Sequence, residues 1–99
     1  MELANRLKDC GVIITYAYTN DTFREGDKFE SVDEFVHEIE SAVKYDDCKF
    51  VGIGKEEDGD DYVLELIEPS LFGRKVKVWF RLIMYYNEEV AKAIEDMVG

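Results

Sequence analysis

Ninety-nine residues and 11.5 kDa leave room for one hydrophobic core, so the chain reads as a single acidic α+β domain over residues 1–99, and a two-domain enzyme is excluded. With 46% hydrophobic and 13% aromatic residues it has enough to bury, which argues against disorder. Twenty-three acids against 12 bases give a net charge of -11, and that argues against free nucleic acid as a ligand, since Lys and Arg drive duplex binding by displacing counterions. The sequence has no long apolar run and no basic-then-apolar leader, so a soluble, cytoplasmic protein is expected. Cys10 and Cys48 lack CxxC spacing and are expected to be reduced thiols.

Leu3, Leu7 and Cys10 recur at helical spacing, predicting a short helix over residues 2–9 that Gly11 ends. Residues 12–19 are β-branched and aromatic almost throughout and predict a strand, with Val12, Ile14, Tyr16 and Tyr18 on one face and Ile13, Thr15 and Ala17 on the other. Residues 22–30 read as a loop with room for a short edge strand. Ser31-Val32-Asp33-Glu34 matches a capping box, in which the Ser hydroxyl accepts the N3 amide hydrogen and the Glu carboxylate returns to the cap amide. Behind it, Val32, Phe35, Val36, Ile39 and Val43 form one apolar stripe on a helix ending near Tyr45.

Residues 49–56 and 61–68 flank Asp58-Gly59, a dipeptide favoured in hairpin turns. Counting outward from the turn sets Ile53 against Leu64, Val51 against Leu66, Gly52 against Glu65 and Phe50 against Ile67. Residues 75–82 alternate Val76, Val78, Phe80 and Leu82 with Lys75, Lys77, Trp79 and Arg81, the pattern of a half-buried strand. Asn87 can cap a closing helix whose inner stripe draws on Val90, Ala91, Ala93, Ile94, Met97 and Val98. The expected order is α-β-α-β-β-β-α, with a mainly antiparallel sheet of about four strands packed against helices.

The second half of that order resembles a double-stranded-RNA-binding domain. Asn87-Glu88-Glu89 stands where such a domain presents its basic cluster, so the resemblance stops at topology. His37, the lone histidine, falls on the outward side of its helix, and no nucleophile pattern or phosphate loop accompanies it; no catalytic residue, no enzyme activity and no cofactor is expected. The acidic run 56–61 misses the glycine and glutamate positions of a calcium loop, so no metal site is assigned. Lys75, Lys77, Trp79 and Arg81 would suit base stacking elsewhere; here Glu65 and other acids can pair with the bases, and Trp79 can lie under the first helix.

Charge is uneven along the chain. Residues 1–20 are neutral, 62–86 carry +2 and 87–99 carry -3, leaving -10 on residues 21–61. Solubility alone needs a net charge of only about 2 to 8 in magnitude. The sharper reading is an acidic face that docks on a basic protein surface through Glu30, Asp33, Glu34, Glu38, Asp46, Asp47, Glu57, Asp58 and Asp60, standing in for phosphates. In size, acidity and lack of enzymatic motifs the chain resembles the small phage-encoded inhibitors of bacterial defence, the anti-CRISPR and anti-restriction proteins that imitate DNA. That resemblance implies a nucleic-acid-binding enzyme as partner. The competing expectation is an accessory subunit or homodimer that docks through Phe23, Phe29, Leu71, Phe72, Tyr85 and Tyr86.

Overall fold

The computed structural model describes residues 10–18, 22–57, 59–70, 73–83 and 88–98. Its elements are β1 (Val12–Ala17), β2 (Lys28–Phe29), α1 (Val32–Tyr45), β3 (Lys49–Lys55), β4 (Tyr62–Glu68), β5 (Arg74–Leu82) and α2 (Glu88–Val98). The helix expected over residues 2–9 and the cap at Asn87 lie outside the described residues. The sheet is antiparallel, in the order β2-β1-β5-β4-β3.

The sheet has five strands where about four were expected. Lys28 and Phe29 pair with Ile13 and Val12, giving β1 an outer neighbour. The approach to this edge strand depends on Gly26, whose φ of 91° favours a residue without a Cβ, and whose N–H donates to the Ile14 carbonyl at 2.8 Å.

Two bulges correct the expected faces. In β1 the register shifts between Ile14, opposite Phe80, and Tyr16, opposite Trp79. The extra residue, Thr15, turns Tyr16 to the outer face and brings the smaller Ala17 in against Val78. Tyr16 is therefore 50% exposed, while Val12 and Ile14 are buried. In β3 the pairs Ile53–Leu64 and Gly52–Glu65 form as counted, and then the register slips at Val51. Phe50 meets Leu66 and Lys49 meets Ile67, so Phe50 packs on the core and Val51 is left 53% exposed.

Both helices pack on the inner face of the sheet in one core. It joins Val32, Phe35, Val36 and Ile39 of α1 and Val90, Ala91 and Ile94 of α2 to Tyr62, Leu64, Leu66, Val76, Val78, Phe80 and Leu82. Aromatic rings link the layers: the Phe35 centroid lies 4.8 Å from that of Phe80, 5.3 Å from Phe29 and 5.7 Å from Phe23. Phe23 is buried in the core and Phe29 packs half-buried against it; Leu71, Phe72, Tyr85 and Tyr86 lie outside the described residues.

At the start of α1 the Ser31 hydroxyl accepts the Glu34 N–H at 3.2 Å, as the capping box requires. The Glu34 carboxylate reaches one residue further back than expected and accepts the Glu30 N–H at 3.0 Å. At the other end the Asp46 and Cys48 N–H groups both donate to the Ala42 carbonyl at 3.1 Å. This reversal covers Ala42 and leaves Val43, in phase with the expected stripe, 38% exposed.

Phe35→Ala should cost about 3–5 kcal/mol of stability in urea unfolding. Val51→Ala, at the bulge, should change it by about 0.5 kcal/mol or less. Equal losses at the two positions would mean that Val51 faces the core.

Candidate functional site

The carboxylates expected to dock fall into three groups in the fold. Glu30, Asp33, Glu34 and Glu38 gather at the start of α1, where Asp33, Glu34 and Glu38 join Phe29 and His37 in lining an open hollow of about 490 Å³. His37 is exposed on the rim. Asp46 and Asp47 sit at the helix exit, also exposed. Asp33 and Asp46 are 13 helical steps apart, about 20 Å at about 1.5 Å per residue. Glu57 and Asp60 form the exposed tip of the β3–β4 hairpin, and Asp58 between them lies outside the described residues. The tip is steadied by Lys55, whose Nζ donates to the Gly59 carbonyl at 2.9 Å, and by the Glu56 N–H donating to the Asp61 carbonyl at 2.9 Å.

Strand registers fix how these groups sit. Phe29 pairs with Val12, Val12 with Leu82, and Phe80 with Tyr62, so the start of α1 and the hairpin tip lie at the same end of the sheet. They flank opposite edges, four strand spacings apart, or about 19 Å. The helix exit leads into Lys49 at the far end of β3. The eight described residues of the nine therefore form an acidic rim with three corners instead of one continuous patch.

The corners differ in what they do for the fold. Asp33 and Glu34 lie in the first turn of α1, where the helix dipole favours negative charge, and Glu34 also caps. Asp46 and Asp47 lie at the negative end of the same dipole. Asp47 further adopts a left-handed backbone (φ 56°) at a position where glycine is usual. Among the described residues Asp33, Glu38, Asp46, Asp47, Glu57 and Asp60 take part in no ion pair. Cys48 is a free thiol buried beside the helix exit. Burial pushes its pKa up, and the negative charges of Glu68, Asp46 and Asp47 push it further the same way.

The outer face of the sheet is a second surface, built around the outward residues of β5. Lys77 pairs with Glu65 at 3.9 Å, and Arg81 Nε donates to Asp61 Oδ1 at 2.8 Å. The other oxygen of Asp61 accepts the Thr15 hydroxyl at 2.9 Å. Trp79 Nε1 donates to Glu56 Oε2 at 2.7 Å, and its indole packs edge-to-face with Tyr16 and Tyr18, centroids 5.4 and 5.5 Å away. Tyr16 and Tyr18 became visible as an exposed pair only through the bulge at Thr15, which no sequence period announces.

No group of three or more His, Cys, Asp or Glu among the described residues is arranged to hold a metal ion. No described helix is long and apolar enough to cross a membrane. The described residues define a two-layer α+β domain, with two helices on one face of a five-stranded antiparallel sheet. Compared with protein-family models, with curated proteins and with solved structures, the chain matches none.

Asp47→Gly should raise stability by about 1–2 kcal/mol, since it removes both the left-handed strain and a charge at the wrong end of the helix. A chemical-denaturation midpoint that fell would contradict this account. Removing a neighbouring negative charge lowers a thiol pKa, so Asp46→Asn should shift the alkylation profile of Cys48 to lower pH; an unmoved profile would mean that Asp46 does not act on the thiol.

Proposed function

We propose that this protein is a non-catalytic interaction module that docks its acidic rim, residues 21–61, on a basic surface of another protein. The partner we favour is a nucleic-acid-binding enzyme whose phosphate-contacting surface the rim occupies, in the manner of phage-type DNA mimics. The observation that carries this reading is the helix exit: Asp46 and Asp47 are exposed and form no ion pair among the described residues, at a helix end where negative charge is unfavourable. Fold stability supplies no reason for carboxylates there, whereas a cationic partner does. Asp33 and Glu34 are less diagnostic, because helix geometry favours acids at their positions.

Corners about 20 Å apart suit a broad contact, since a standard interface covers about 800 Å² on each partner. Opposite potentials over such an area raise the association rate and fix orientation, and added salt screens them.

Immobilised protein should capture a bacterial partner at low salt and release it both at high salt and on addition of duplex DNA. Asp47→Lys and Glu38→Lys together should abolish capture while leaving the circular dichroism spectrum unchanged. Glu34→Lys is a poorer test, because it also removes the cap on the Glu30 N–H. Capture that survives high salt, excess DNA and both reversals would rule the proposal out.

A further inference from the structure

β3 ends the sheet on its side, so one row of its backbone groups meets no further strand. The Glu56 N–H donates to the Asp61 carbonyl at 2.9 Å, and the ladder alternates from there: Gly54 with Val63 and Gly52 with Glu65 exchange bonds, while Ile53 and Lys55 turn their N–H and C=O groups out to the edge. The opposite edge strand, β2, has only two residues to offer, whereas β3 has seven. A long edge of this kind templates pairing with another chain unless something blunts it.

We infer that Glu95 closes this edge: its carboxylate, carried by α2, occupies the backbone donor through which a second copy of the chain would otherwise add, β3 against β3. Glu95 Oε2 accepts the Ile53 N–H at 2.9 Å in a half-buried contact across 42 residues of sequence. The contact falls where the strand has no other protection. The bulge at Val51 disrupts the first half of β3, and Lys49 and Lys55 put a charge at each end. Between them, Gly52 and Gly54 carry no side chain, and a Cβ at Gly54 would meet nothing within 4 Å. Ile53 stands between these two glycines.

The fold by itself does not call for this carboxylate. The Lys55 N–H points out in the same way, and no described group answers it. A hollow of about 210 Å³ between β3 and α2 gives the Glu95 side chain room to swing away, so the contact can open without moving the backbone.

The edge that Glu95 covers is complementary to itself. A two-fold axis at Gly54 sets Ile53 of each copy opposite Lys55 of the other, and each such pair exchanges both of its hydrogen bonds. The central glycines bring no side chain between the strands. Ile53 and Lys55 lie on the helix-covered side, because they pair with the buried Leu64 and Tyr62. Glu95, once released from the Ile53 N–H, therefore stands beside the Lys55 ammonium of the second copy, and the two charges match.

In hydrogen exchange the Ile53 amide of the wild-type chain should be protected about tenfold or more over that of Lys55, each relative to its intrinsic rate. Glu95→Ala keeps a good helix former in α2 and should remove that protection in dilute solution. In sedimentation velocity from micromolar to millimolar concentrations it should dimerise about tenfold or more tightly than the wild type. Glu95→Gln loses the same charge but keeps an acceptor oxygen, and should behave as the wild type does. Adding Lys55→Pro to Glu95→Ala withdraws an outward N–H without touching the ladder to β4, and should restore the monomer. All of these measurements use the isolated chain and leave the acidic rim intact, so this inference and the docking proposal fail separately.

A Glu95→Ala chain no more associated than the wild type would overturn the inference. Glu95→Gln associating as readily as Glu95→Ala would assign the effect to charge and overturn it equally. So would association that survives Lys55→Pro, or an Ile53 amide that exchanges as fast as that of Lys55.

Discussion

β5 sits in the middle of the sheet with β1 on one side and β4 on the other, and its alternation decides which way both neighbours must face. Val76, Val78, Phe80 and Leu82 are buried against the helices, so the residues opposite them must be apolar and shaped to fit. β4 follows that demand in perfect register, with Tyr62, Leu64 and Leu66 turned inward. β1 does not, because its own alternation would send Tyr16 into the core. The bulge at Thr15 resolves the conflict. Because β5 follows the other strands in the chain, the sheet depends on long-range pairing, which carries the entropy of closing large loops.

That constraint divides the molecule into two kinds of surface. Inward-facing residues and the helices make one apolar layer, and the helix ends and hairpin tip carry acids out to its perimeter. On the outer face of the sheet Lys77 pairs with Glu65 and Arg81 with Asp61, and Tyr16 and Tyr18 are exposed beside Trp79.

The carboxylates of the rim are not equivalent, although composition counts them alike. Asp33 and Glu34 complement the positive end of α1, so their presence needs no partner to explain it. Asp46 and Asp47 oppose the negative end, and Asp47 adds a strained backbone. Burial pushes the Cys48 thiol pKa up, and the negative charges of Glu68, Asp46 and Asp47 push it further the same way.

Much of the fold was legible in the residues themselves. The 3.6-residue stripe and Ser31 located α1, and strict alternation located β5, because both signals are local and a single period generates them. Local signals could not place the two bulges, the edge strand at Lys28–Phe29, or the burial of Phe23 and Phe29, since each depends on what a neighbouring strand or helix presents across the sheet. The excess of acid in residues 21–61 was fixed by the sequence alone. Its division into three corners, and the clustering of Tyr16 and Tyr18 with Trp79 on the outer face, were decided only in three dimensions. One extra residue in an antiparallel ladder reverses every side chain beyond it, and only the packed core determines where that residue goes.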